Sequence, residues 1–246
     1  MKPSQFLSEF LDFIFVPRCL ACGQMLIGSS HLSGIHHCFC EICATAVLPL
    51  EPSHCPRCAE PFAANTRSHL CGTCLSHPPP FLAIHTGFEY GGPLAQAIAR
   101  YKYQPAPFMA RELAGLLPAP PLDSVDLVMP VPAHPKKLTQ RGFNQSALLA
   151  RFLCRRMNRP CDFGSLRRTR YGDAQVGKSK QERIRNMKSA FHVPDRRPGI
   201  AGRHILLVDD VVTTTATVRS AANALKIQGK VASVQVVCLG RSATLR

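Results

Sequence analysis

The 246-residue chain has no tryptophan, only four tyrosines, and an aromatic share of 7%. So few rings leave little material for stacking on bases. Acidic residues are scarce too: 15 Asp+Glu face 30 Lys+Arg, a formal charge of +15. That imbalance points to an anionic partner such as nucleic acid, a nucleotide or an anionic membrane surface. No apolar stretch is long enough to span a bilayer. With 16 Gly, 21 Pro and 46% apolar residues, the composition is neither collagen-like nor that of a disordered chain. No secretory signal is expected from the first apolar run, because Glu9 and Asp12 interrupt it and no small-residue cleavage site follows it.

That first run places Phe6, Leu7, Phe10, Leu11, Ile14 and Phe15 at helical spacing. It predicts a short amphipathic helix docked on the protein. A membrane-surface helix is the alternative, disfavoured by one Lys against two acids. The expected location is cytoplasmic, with reduced thiols.

Cysteine is abundant, with 12 residues, nine of them before position 75. Eight fall in four Cys-x-x-Cys knuckles: Cys19/Cys22, Cys40/Cys43, Cys55/Cys58 and Cys71/Cys74. A two-residue gap lets one tight turn aim both sulfurs at one ion, and two knuckles complete a tetrahedral shell. Sequential pairing gives Cys19, Cys22, Cys40 and Cys43 at one zinc and Cys55, Cys58, Cys71 and Cys74 at a second. A cross-braced pairing is the alternative; the sequential one closes shorter loops. Cys38, beside His36 and His37, is read as a spare thiol. Four-thiolate sites leave no position open for substrate, so both zinc ions are expected to be structural.

Ser76-His77-Pro78-Pro79-Pro80 then marks a stiff boundary. It divides residues 1–80, an N-terminal helix and two zinc ribbons, from an α/β domain at 81–246. In the second part, strands are expected at 81–90, 126–131, 190–193, 205–208 and 231–239. Helices are expected at 93–100, 108–117, 146–157 and 217–228.

The most informative segment is His204-Ile-Leu-Leu-Val-Asp-Asp-Val-Val-Thr-Thr-Thr-Ala-Thr217. A buried-type strand runs into two acids and then a threonine-rich turn that opens a helix. Backbone N–H groups of such a turn, with the hydroxyls of Thr213, Thr214, Thr215 and Thr217, suit a phosphate. Asp209 and Asp210 suit a pair of vicinal hydroxyls. Phosphate on one side and diol on the other describe a ribose 5-phosphate. The bland account is a strand, an acidic loop and a threonine helix cap.

These residues resemble the signature of the type I phosphoribosyltransferases. The whole chain looks more closely like the ComF (competence protein F) family, in which a double zinc ribbon precedes that domain. Further motifs carry the resemblance: Phe15-Val-Pro-Arg-Cys19, Tyr101-Lys-Tyr103, Arg141-Gly-Phe-Asn-Gln145, Arg168-Thr169 with Gln175, and Arg185-Asn186. It implies a parallel sheet flanked by helices, binding 5-phosphoribosyl 1-diphosphate (PRPP) with Mg²⁺. Asp209, Asp210 and Arg141 take the catalytic positions. Val211, Thr213, Thr214, Thr215, Ala216 and Thr217 form the ribose 5-phosphate loop. Lys137, Gly142, Asn144 and Gln145 belong to the diphosphate loop, and Arg168, Thr169 and Gln175 to a flexible hood that excludes water. The resemblance also implies a role in DNA uptake or use, with single-stranded DNA and competence-machinery proteins as partners. Two other readings stand beside it: an active transferase of unknown acceptor without a DNA role, and a zinc-ribbon adaptor with a degenerate transferase domain. A glutaminase activity is disfavoured, since residue 2 is Lys and the early cysteines are assigned to zinc.

Two positions depart from the family pattern. Thr215 and Ala59 stand where glycine is usual. A β-branched residue is strained at positive φ, so Thr215 predicts a rearranged loop or a weaker phosphate site. Ala59 is expected to cost only local turn stability. The charge is also localised: residues 134–203 hold 18 Lys+Arg against Asp162, Asp173, Glu182 and Asp195. A small sugar phosphate needs few of these cations, so the remainder favours a polyanion. Base stacking rests on Tyr101, Tyr103, Phe143 or Tyr171.

Overall fold

Short apolar strands and amphipathic helices alternate from residue 84 onward. The computed structural model describes residues 17–26, 34–63, 66–103, 107–168, 190–195 and 198–243. The expected N-terminal helix, and Thr169, Tyr171 and Gln175 of the expected hood, lie outside them.

Two one-turn helices open on cysteines: α1 (Glu41–Thr45) after Cys40 and α2 (Gly72–Ser76) after Cys71. Then come β1 (Ile84–His85), β2 (Phe88–Glu89), α3 (Gly92–Tyr103) and α4 (Pro107–Gly115). β3 (Leu127–Pro130), α5 (Pro135–Arg141), α6 (Gln145–Met157), β4 (Arg167–Arg168) and β5 (Phe191–His192) follow. The chain continues through β6 (His204–Val208), β7 (Val211–Val212), α7 (Ala216–Ile227), β8 (Ser233–Val237) and β9 (Gly240–Arg241).

The parallel sheet that the resemblance implies is present: four strands in the order β1-β8-β6-β3. β3 and β8 are buried along their whole length and β6 from Ile205 onward, the pattern of parallel strands covered on both faces. A second sheet has the order β2-β9-β7. Its strands continue β1, β8 and β6 after breaks at Thr86–Gly87, Cys238–Leu239 and Asp209–Asp210. The sheet is therefore creased, and hydrogen bonds from the Asp209 and Leu239 amides to the Val237 and Asp210 carbonyls (3.0 and 2.9 Å) cross the crease. The single strand expected over 81–90 is corrected to two, because the chain bends at Thr86–Gly87.

Side-chain alternation splits the core. Leu206 and Val208 pack on one face with α3, α4 and α6. Ile205 and Leu207 pack on the other with α7. The ribbon segments share these cores. Cys19, Leu20 and Phe39 join the first face, and Cys55, Cys58, Ala59 and Phe81 join the second.

The basic stretch after β3, expected as a loop, contains α5. Pro135 occupies the first turn, His134 caps it by accepting from the Lys136 amide, and Gly142 (φ +78°) closes it in the left-handed region. The helix has no buried residue, so apolar periodicity could not reveal it. Lys137 is exposed on it.

Candidate functional site

Each ribbon begins with the same hairpin turn. In the first, the Gly23 amide donates to the Cys19 carbonyl (2.9 Å) and the Cys19 amide to that of Gln24 (2.8 Å). In the second, Ala59 donates to Cys55 (2.9 Å) and Cys55 to Glu60 (2.9 Å). The sulfurs gather sequentially, Cys19/Cys22/Cys40/Cys43 and Cys55/Cys58/Cys71/Cys74, each set within 4.8 Å. Between knuckles, Cys22 and Cys40 are 3.7 Å apart and Cys58 and Cys71 3.6 Å. Zinc–sulfur bonds of about 2.3 Å at tetrahedral angles require about 3.8 Å. Both sets therefore fit zinc, and the cross-braced alternative does not.

Burial works against the Cys19 and Cys55 thiolates, but surrounding backbone N–H groups outweigh it and bring them to about 6 and about 7. The Cys71 amide, for instance, donates to the Cys55 Sγ. Cys38 lies outside the first set. It is buried against the Glu112 carbonyl, and burial pushes its thiol up to about 12. It is a buried thiol outside the ligand set, in line with its reading as a spare.

At the crease, Asp209 and Asp210 leave the carboxyl end of β6. The Ser146 hydroxyl and the Asp210 amide both donate to Asp209 Oδ1 (3.0 and 2.9 Å). Burial, and then the charge of Asp210, raise the Asp209 carboxyl to about 7, against those hydrogen bonds and Lys102. Asp210 accepts from the Val211 amide (2.8 Å) and pairs with Lys102 Nζ (2.7 Å). Thr213 and Thr214 are exposed, and Thr215, Ala216 and Thr217 lead into α7.

Thr215 has φ −75°. The expected strain is therefore absent, because this turn does not use a left-handed residue there. The Thr215 hydroxyl instead accepts from Arg219 Nε at 3.0 Å, one helical turn on. The left-handed departure is Ala59, at φ +54° and buried.

The loop after β3 is tied to the acids through α6. Asn144 caps that helix by accepting from the Ser146 amide (3.1 Å), while its Nδ2 donates to the Val131 carbonyl (3.1 Å). Asn144 thus fixes the loop. Gln145 is buried; its Oε1 accepts from Arg141 (3.3 Å) and its carbonyl from the Tyr101 hydroxyl (2.9 Å). The Arg141 guanidinium lies over the Tyr103 ring, 5.1 Å from its centroid. Arg168 stands on β4 with its guanidinium over Phe191. Tyr101 is fully buried and unavailable to a base, whereas Tyr103 is 71% exposed.

Sequence reasoning missed Lys102, Ser146 and Arg241. Lys102 lies inside a motif already singled out, Tyr101-Lys-Tyr103. Arg241 follows an apolar strand, and a cation at a buried-strand end is itself a signal for a partner.

Comparisons with known proteins agree with this construction. Residues 10–75 match the double zinc ribbon domain and residues 144–244 the phosphoribosyl transferase domain. The chain is 36% identical over 216 residues to the DNA utilization protein YhgH of Escherichia coli, covering 84% of this chain and 92% of that one. It is 31% identical over 180 residues to Competence protein F of Haemophilus influenzae, covering 70% and 78%. Competence protein ComFC of Bacillus subtilis is 25% identical over 210 residues, covering 82% and 84%.

Proposed function

Because the chain belongs to the competence protein F family, we propose that it binds PRPP with Mg²⁺ at the crease and acts in DNA uptake or use. The observation that carries this reading is the juxtaposition of Asp209 and Asp210 with the open Thr213–Thr217 turn, at the carboxyl edge of a parallel sheet. The names of the relatives, DNA utilization protein and competence protein, support the DNA role. So does the concentration of cations over residues 134–203.

In this reading the α7 N-terminus and the threonine hydroxyls hold the 5-phosphate. Asp209 and Asp210 accept the two ribose hydroxyls and place negative charge beside an oxocarbenium-like sugar. Arg141, held by Gln145 and Tyr103, faces the growing charge of the diphosphate. Two adjacent carboxylates are fewer ligands than a dedicated magnesium cage, but they suit an ion carried mainly by substrate oxygens. When bound, Mg²⁺ neutralises diphosphate charge. Asp210 must then exchange its Lys102 contact for the sugar. No described residue near the acids is assigned as a base for an acceptor.

Calorimetry with PRPP and Mg²⁺ tests the ligand. One saturable site is expected, lost in Asp209→Asn plus Asp210→Asn; no binding to the parent protein overturns the reading. A labelled single strand titrated at several salt concentrations tests the DNA role. Affinity should fall steeply with salt, and weak, salt-independent binding removes DNA as a partner.

A further inference from the structure

Arg241 is a charged side chain in the interior, 2% exposed, in the middle strand of the second sheet. A guanidinium that deep requires partners for its whole fork, and it has them. Nη1 donates to the carbonyls of Val212 (3.2 Å), Thr213 and Ser242. Nε donates to the carbonyl of Cys58 at 3.1 Å, and Nη2 pairs with the Glu60 carboxylate. One side of the fork thus grips the start of the threonine turn. The other grips the knuckle Cys55-Pro-Arg-Cys58 and the residue that closes its hairpin.

The knuckle is docked at this edge by a further bond, from the Ile84 amide to the Arg57 carbonyl (3.0 Å). Cys58 is one of four sulfurs whose spacing fits zinc. A metal on those sulfurs would brace the knuckle turn and with it the direction of the Cys58 carbonyl. Thr213 and Thr214 are exposed. The strand that leads into the threonine turn is paired with Arg241 on β9, and the Arg241 fork adds a side-chain tie from that turn to the second ribbon.

We propose that Arg241 is a positioning residue through which the second thiolate site holds the threonine turn in its ligand-binding form. The proposal rests on the reading of that turn as the PRPP phosphate site, and it assigns the second ribbon a part in binding beyond stabilising the fold. By linkage, a ligand on the turn must in turn strengthen zinc retention at the second site.

The test uses the full-length zinc-loaded protein and two variants, Arg241→Lys, which keeps the charge but loses the fork, and Glu60→Gln, which is isosteric. Three quantities are read: PRPP affinity at a temperature well below each melting midpoint, amide exchange over 211–217, and zinc release to a chromophoric chelator. Arg241→Lys should weaken PRPP binding by about tenfold or more, the loss of about one charge-assisted hydrogen bond. Exchange should rise in 211–217, and Glu60→Gln should show the same changes at smaller size. In the parent, saturating PRPP should slow release of one of the two zinc ions. A purely structural arginine would lower the melting midpoint but leave the affinity of folded protein unchanged. That result, with unchanged exchange and zinc release indifferent to PRPP, overturns the proposal. Failure of the parent to bind PRPP overturns the ligand reading instead, and the exchange comparison then decides the clamp by itself.

Discussion

The two thiolate sites share their knuckle spacing and hairpin geometry, yet they join the molecule differently. The first lies with the core face formed by α3, α4 and α6, the second with the face covered by α7. An arginine of the α/β part reaches each one. Arg100 Nη1 donates to the carbonyls of Cys19, Leu20 and Ala21 (3.1, 3.1 and 3.3 Å). Arg241 donates to that of Cys58. Arg100 sits on a helix already fixed by the buried Leu94, Ala97, Ile98 and Tyr101, so the ribbon adds little to the placement of Lys102 and Asp210. Arg241 instead passes directly from the knuckle to the threonine turn. A structural metal site can therefore be remote from function or coupled to it, depending on what one side chain touches.

The largest expected effect comes from removing one sulfur from each site. Cys58→Ser and Cys22→Ser should each leave one zinc per chain. With Cys58 changed, PRPP affinity should fall by about a hundredfold, the upper range for loss of support around a site. With Cys22, the folded protein should stay within about threefold of the parent, a difference at the low end for one hydrogen bond. Metal analysis and calorimetry on the same samples decide this. Equal losses would break the distinction between the ribbons.

Much of this contrast was invisible in the sequence, for a physical reason. Knuckle spacing sets local turn geometry, so sequential zinc pairing was readable from Cys19 to Cys74. Apolar runs and helical periodicity likewise gave β6, α6 and α7, and the strand-acid-threonine order marked the candidate site. α5 was missed because polar residues held by a proline start and a glycine stop leave no apolar stripe. The crease was missed because the apolar run 81–90 was read through Gly87, although a glycine inside a strand pattern is a break signal. Lys102 and Arg241 were missed because their acceptors are chosen by packing. Arg241 meets Glu60 across 181 residues of chain.

A middle-sized effect concerns the acids, which lean on the first ribbon's face through Ser146 of α6. The Asp209 carboxyl is raised to about 7, first by burial and then by Asp210. The folded state thus keeps a proton that the unfolded chain loses near the ordinary aspartate value. The stability this group contributes is present at acid pH and is lost as pH rises towards about 7. A diol needs the ionised carboxylate, so PRPP binding should release a proton below that pH, and affinity should rise by up to about tenfold per pH unit. Ser146→Ala removes a bond that favours the charge and should move the midpoint upward. Calorimetry in buffers of differing ionisation enthalpy checks this, and binding without proton release would contradict it.

The smallest effect separates the ribbons at one equivalent position, the residue after each first knuckle. Gly23 has φ +81° and Ala59 φ +54°. A methyl group on Gly23 would meet the Arg100 guanidinium only at 3.5 Å, an ordinary contact. The cost of Gly23→Ala is then the left-handed strain of about 1–2 kcal/mol less the entropy that alanine removes from the unfolded chain, a net of about 1 kcal/mol, which lowers the melting midpoint by about 2–4 °C in a chain of this size. Ala59→Gly relieves similar strain but gives up a buried methyl worth about 0.8 kcal/mol and enlarges the unfolded ensemble. Those contributions nearly cancel, so its midpoint should move by less than about 2 °C. Thermal melts of the zinc-loaded variants measure both. Equal and opposite shifts would mean that the Ala59 methyl adds nothing to the second ribbon's seat on the α7 face.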